Sequence, residues 1–413
     1  MAAAAVGLGN LWRFPYLVGE NGGAAFIIIY LLAIIAIGIP VMLLEIGAGR
    51  MVLGSPVATF RHVHRYATIV GWLIVLLTVV ITSYYLVITG WTLGYAVDSL
   101  RGEVGQFEEF TSGYASLWYF LAISVMVGLV LIRGLNGVET VARILMPALV
   151  LTVVGLAAFS LTLDGWGEAA RFMLQPEFGE LANPTIWLFA VGQAFYSLAI
   201  GQGYLITYGS YLPEGVRLPR AAITVAGTET MIALLAGWML FPIVFTFGLD
   251  PGEGSQLAFN TLPTAFEDMA GGALLAALFF PLFFAAAFSS SIAGMKVIVT
   301  TVRDELRLSL TRAVGGSAIV VTLLGIPSAL SFSPVELSLF GEPFLEVMDQ
   351  FGATQVVVTS GIVGAGILSW VVPRERYQEA LGRRWLPWAR MSIAVGRAIP
   401  FVAVIALVYA ALT

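Results

Sequence analysis

The chain is a succession of long apolar stretches, and this constrains its fold more than any other feature. Eleven runs are long enough to cross a bilayer, which takes about 20 mostly apolar residues. They lie at about 2–18, 24–49, 67–97, 116–133, 140–163, 184–211, 221–248, 271–300, 313–331, 340–372 and 389–412. Lipid offers backbone N–H and C=O groups no partner, so each run must satisfy its own groups as a helix. Charged residues make up 11% of the 413 positions, where soluble domains run near a quarter. The expected fold is therefore all-α, a polytopic membrane protein of one domain with eleven transmembrane helices. No basic region precedes the first apolar run, so no cleavable signal peptide is expected.

The loops give an orientation. Arg50, Arg61, Arg65, Arg133, Arg143, Arg217, Arg220, Arg303, Arg307, Arg312, Arg374, Arg376, Arg383, Arg384 and Arg390 all fall on one side, fifteen of the twenty basic residues. The opposite side carries Arg101 and Arg171 among many acids, including Asp98, Glu103, Glu108, Glu109, Glu177, Glu180 and Glu267. Basic loops stay in the cytoplasm, which predicts a plasma-membrane protein with its N-terminus inside and its C-terminus outside.

Two of the eleven segments are interrupted. Ala5–Pro15 reads AVGLGNLWRFP, with two glycines, an asparagine, an arginine and a proline inside an apolar run. Gln193–Gly203 reads QAFYSLAIGQG, with Gly201, Gly203, Ser197 and two glutamines at membrane depth. Glycine weakens a helix and lets other atoms approach its backbone. An ionisable residue at such depth marks a functional site by default. Two breaks five segments apart predict two inverted five-helix halves, residues 1–163 and 184–372, followed by an extra helix at 389–412. The site then sits at the midplane between the halves. There is no cysteine, which removes disulfides, thiol chemistry and thiolate metal sites, and the two histidines share one short loop. No nucleophile–base pair stands out, so the reading is a carrier and not an enzyme, with no nucleic-acid partner.

The motifs AVGLGNLWRFPY, ENGGAAF (Glu20–Phe26), the Gly90–Ala96 stretch, Phe195–Tyr211 and FSSSIAGM (Phe288–Met295) resemble the neurotransmitter:sodium symporter family. The likeness runs from residue 2 to about 410. Eleven spans resemble its prokaryotic branch, that of the bacterial leucine transporter. The resemblance implies a sodium-coupled importer of neutral α-amino acids working by alternating access, with sodium ions, an amino acid and the lipid bilayer as partners. A membrane amino-acid sensor, a transport-inactive relative and a carrier of betaine- or taurine-like osmolytes are the rival readings.

The resemblance also implies roles. One sodium ion would be held by Asn10, the Ala5 carbonyl, Ser197 and the substrate carboxylate, with Glu229 where eukaryotic members carry asparagine. A built-in carboxylate there implies independence from chloride. A second sodium would use Ser289 and Ser290 with the carbonyls of Ala286, Val6 and Ala3. Gly7 and Gly9 would hold the substrate carboxylate with Tyr85, and Tyr196 would roof the pocket. Gly7 stands where monoamine carriers have aspartate, which favours an amino acid. Ile81, Ala199, Gln202, Ser290 and Gly294 would line a side-chain pocket that is roomier and slightly more polar than in the leucine transporter. Arg13, Asp349 and Gln193 would form the outer gate, and Asp304 and Tyr211 the inner one. Glu45 would support backbone groups freed by the breaks.

One departure stands out. Only Met1–Ala4 precede the first break, where relatives carry a half-helix with a basic residue that pairs with the acid at Asp304. Either the sequence is a shortened form, which is the expectation, or its inner gate lacks that cation and leaks.

Overall fold

The computed structural model describes residues 7–213, 215–252, 258–259, 261–269 and 271–412. Among the described residues, eight helices are long and apolar enough to cross a membrane. They are α2 (Ala24–Val52), α4 (Thr68–Arg101), α5 (Ala115–Ile132), α6 (Gly134–Ser160), α9 (Leu218–Thr246), α10 (Gly272–Leu306), α11 (Leu310–Ala329) and α12 (Phe344–Val371). Each covers one of the apolar runs read from the sequence. The remaining runs are built from other pieces. A turn of π-helix at Gly9–Arg13 leads into α1 (Phe14–Glu20), and α7 (Pro184–Ser197) and α8 (Tyr204–Ser210) share the run at 184–211. The amphipathic α3 (Pro56–Val63) joins α2 to α4, and α13 (Arg374–Leu381) precedes α14 (Leu386–Leu412).

Prolines explain two of the irregular turns. Pro15 and Pro40 each follow a π-helical stretch, Gly9–Arg13 and Ile34–Gly38. Proline has no N–H to give and its ring crowds the carbonyl four residues back, so the preceding turn widens. Helix starts are capped in the usual ways: Ser55 Oγ accepts from Ala58 N, and Asn183 Oδ1 from Thr185 N. The all-α expectation needs one small correction. Ser338–Leu339 pairs antiparallel with Glu342–Pro343, because Phe340 and Gly341 both take positive φ, 57° and 90°, and close a tight hairpin.

α4 and α10 form the centre. Thr82 faces Gly294, Thr89 Oγ1 meets Ser291 Oγ at 2.8 Å, and Tyr95 stacks near Phe280, so the two helices run antiparallel. α6 and α11 lie outside them and expose large side chains such as Leu151, Ile319 and Leu323, each more than 60% accessible. A solvated surface that apolar would aggregate, whereas the same surface against acyl chains is at home. Polar residues around the breaks face inward: Asn10 and Gln193 of the interrupted segments and Glu229 of α9 are fully buried.

Candidate substrate and ion site

The run at 184–211 is broken at Leu198–Gly203. Ala199, Gly201 and Gly203 take φ of 54°, 76° and 74°. A left-handed residue ends a helix, and only glycine adopts that region without cost. The freed groups find partners on other helices. Glu45 Oε1 accepts from Gly201 N at 2.9 Å, Ser360 Oγ donates to Gly201 O at 2.6 Å, and Thr78 Oγ1 donates to Gln202 O at 2.7 Å. Gly201 also lies against α12, where an added Cβ would stand 2.7 Å from Gly361 Cα and 2.9 Å from Val357 O.

The glycines of the first segment work differently. Gly7 and Gly9 have no positive φ; they admit close neighbours instead. A Cβ on Gly7 would collide with Ser290 Oγ and stand 2.9 Å from the Tyr85 hydroxyl. A Cβ on Gly9 would stand 3.0 Å from the Tyr196 ring. The Gly7 carbonyl accepts from Asn10 N and Leu11 N, and Leu8 N donates to the Tyr85 hydroxyl at 3.0 Å. Tyr85, Ser290 and the start of this helix therefore converge at Gly7. Ile81, buried, lies one turn from Tyr85 on α4.

Beside that meeting point is a second polar cluster. Asn10 Nδ2 donates to the Glu229 carbonyl at 3.0 Å, and Asn10 Oδ1 sits 3.5 Å from Gly7 N. Glu229 is fully buried on α9, and neither oxygen of its carboxylate has a hydrogen-bond partner among the described residues. Gln193 Nε2 donates to Gly9 O at 2.7 Å and to Ser197 Oγ at 2.9 Å, which ties the two interrupted segments together. Ser289 Oγ donates to Ala286 O at 2.9 Å on α10. Ala3, Ala5 and Val6 lie outside the described residues.

On one side of these two clusters, Arg13 Nη1 donates to Gln193 Oε1 at 2.6 Å, and its guanidinium stacks over Tyr196 at 5.0 Å. Asp349, half-buried, lies within electrostatic reach of Arg13 and beside Tyr84, and its Oδ1 has no hydrogen-bond partner among the described residues. On the other side, the Tyr211 hydroxyl meets Thr300 Oγ1 at 3.3 Å, and Asp304 Oδ2 accepts from Ser55 N at 3.1 Å. Next to Asp304, Glu305 takes a two-point hydrogen bond from Arg61 of α3.

Sequence reasoning passed over Lys296. It is the chain's single lysine, 4% exposed within α10, with its ammonium 4.8 Å from the centre of the Tyr211 ring. Lys296, Thr300 and Asp304 recur every four residues and so share a face of α10. The signal was present, since a lysine inside an apolar span is costly and rarely idle. Thr82 and Tyr204 were missed too, because nothing local in the sequence announces a contact between α4, α8 and α10.

A cavity of about 850 Å³ opens among Asp98, Glu103, Glu109 and Glu267 and includes none of the clustered residues above.

The family profile of the sodium:neurotransmitter symporters matches residues 1–108 and 108–412. The chain belongs to the sodium:neurotransmitter symporter family. It is thus a multi-pass membrane transporter and not an enzyme. Among relatives of this symporter, an uncharacterized sodium-dependent transporter of Haemophilus influenzae is 35% identical over 79% of this chain and 75% of its own length. A sodium-dependent nutrient amino acid transporter 1 of Drosophila grimshawi is 27% identical over 89% of this chain and 68% of its own. The crystal structure of MhsT in complex with L-phenylalanine superposes with a TM-score of 0.90 at 33% identity, covering 98% of this symporter and 96% of MhsT.

Proposed function

We propose that this symporter couples sodium to the import of neutral α-amino acids by alternating access, without a need for chloride. The observation that carries this reading is Glu229. A buried carboxylate with no hydrogen-bond partner is costly, and a monovalent cation beside it removes that cost. Hard cations take oxygen ligands. Asn10, Ser197 and Glu229 supply them on three segments, with the Ala5 carbonyl and the substrate carboxylate as the further ligands. The carboxylate of Glu229 places the negative charge that a chloride ion would otherwise contribute. The second sodium is assigned to Ser289 and Ser290 with the carbonyls of Ala286, Val6 and Ala3.

The amino acid occupies the space framed by Gly7, Gly9, Tyr85 and Ser290. Amides at the start of a helix favour a carboxylate there, and Tyr196 covers it. Ile81, Ala199, Gln202 and Gly294 bound its side chain. Arg13, Gln193 and Asp349 close the outward path, and Tyr211, Asp304 and the Thr300 contact close the inward one. In this reading residues 1–163 and 184–372 are the two inverted halves, and the basic loops face the cytoplasm. The names of the Haemophilus and Drosophila relatives, and the amino acid bound by MhsT, support the same reading. The test is a thermal-shift screen of the purified protein against the standard amino acids, with sodium and with an impermeant organic cation in its place. At least one amino acid raises the melting temperature only with sodium; a screen with no sodium-dependent hit overturns the proposal.

A further inference from the structure

The far end of the side-chain pocket is polar in a way the carboxylate end does not require. Among the serines and threonines of α4, Thr78, Ser83, Thr89, Thr92 and Ser99 all donate to a carbonyl three or four residues back, the usual resting place for a helical hydroxyl. Thr82 is the exception. Its Oγ1 is buried with no partner among the described residues, and it lies where a Cβ on Gly294 would be only 2.7 Å away. The Tyr204 hydroxyl stands equally close to that position, at 2.5 Å. The missing side chain at Gly294 thus leaves its place to two hydroxyls. Gln202, whose carbonyl is held by Thr78 one turn along α4 from Thr82, has a buried amide Nε2 with no partner among the described residues. Thr82 and Tyr204 thus meet at Gly294, and Gln202, tied to α4 one turn away through its carbonyl, brings a third donor; two of the three have no partner among the described residues.

Their distance from the carboxylate end is set by helix geometry. Tyr85 and Ser290 meet at Gly7, whereas Thr82 and Gly294 lie one turn away on the same two antiparallel helices. One turn is about 5.4 Å. An extended amino acid places the fourth carbon after its carboxyl carbon about 5 Å away, from ordinary bond lengths. That carbon is the side-chain amide carbon of glutamine.

Resting on the reading of this pocket as an amino-acid site, we propose that it selects an uncharged side chain ending in a hydrogen-bond acceptor, the carboxamide of a glutamine-sized substrate. Gln202, Thr82 and Tyr204 donate to its oxygen. A hydrocarbon side chain of equal length leaves these donors buried and unpaired, and such sites discriminate strongly against the analogue that lacks the polar group.

The experiment measures sodium-dependent binding of glutamine, asparagine, methionine, leucine and phenylalanine to wild-type protein by competition against the best radiolabelled ligand of that set. The same series is then run on Gln202→Met and Thr82→Val. Glutamine is expected to outcompete methionine by about tenfold or more in the wild type, and Gln202→Met is expected to reverse that order while still binding methionine with sodium. Methionine, leucine or phenylalanine binding more tightly than glutamine, with sodium required, overturns this proposal and leaves the amino-acid symporter reading standing. An unchanged glutamine-to-methionine ratio in both variants also overturns it. No sodium-dependent binding of any amino acid overturns both.

Discussion

The Asn10 side chain donates to the main-chain carbonyl of Glu229 at 3.0 Å, across 219 residues of sequence. The contact joins the first interrupted segment to α9 and leaves the Glu229 carboxylate buried beside it without a partner among the described residues. Glu229→Gln keeps the shape and removes the charge. Sodium affinity is expected to fall about tenfold or more, the weight of one lost charge-assisted contact, and uptake is expected to acquire a chloride requirement. Sodium titrations of binding, in chloride and in gluconate, check both. An unchanged sodium midpoint removes Glu229 from the ion site.

Gly201→Ala tests the break between α7 and α8. The φ of 76° costs a residue with a Cβ about 1–2 kcal/mol, and the added carbon meets the backbone of α12. The variant is expected to lose monodispersity in detergent or to melt well below the wild type. Wild-type melting would show that α12 gives way freely.

Gln193 is held from three sides by Arg13, Gly9 and Ser197. Gln193→Leu removes two donors and an acceptor at once, and each buried hydrogen bond lost costs about 1–3 kcal/mol. Melting temperature and transport are both expected to fall, transport at least tenfold, read by thermal unfolding and by uptake of the same preparation; wild-type values of both would make Gln193 dispensable.

Lys296→Met tests the inward side. The absence of native cysteine lets a single cysteine be introduced at Thr207, buried on α8 four residues before Tyr211, without other changes. If the ammonium over Tyr211 helps hold that side shut, labelling of the cysteine from the cytoplasmic side in sodium rises several-fold in Lys296→Met. Lys296→Arg, which can stack in the same way, keeps the wild-type rate. Equal rates in all three make the lysine a passive occupant.

Much of this arrangement is legible in the sequence, for physical reasons. Apolar runs of membrane length leave a chain no alternative to helices, and Gly201 and Gly203 mark a break because left-handed backbone needs glycine. The polar residues around Gly7–Arg13 pointed to a buried polar cluster, which Asn10, Arg13, Gln193 and Glu229 form. What the sequence could not carry was contact between distant segments. The Thr82 hydroxyl is unusual only because Gly294 and Tyr204 come to it from α10 and α8, and Lys296 gains its meaning from Tyr211, 85 positions earlier. The two-residue hairpin at Ser338–Pro343 was likewise hidden, since its signal is the conformation of Phe340 and Gly341 and not an alternating pattern.

The central claim is coupling, and uptake into proteoliposomes tests it most directly. Purified protein is reconstituted and given a labelled amino acid that binds, with an inward sodium gradient, with equal sodium on both sides, and with no sodium, all in chloride-free buffer. Accumulation above the outside concentration is expected only with the gradient, with release when a sodium ionophore collapses that gradient. Sodium-dependent binding with no accumulation under any condition would contradict it and leave a receptor in place of a carrier.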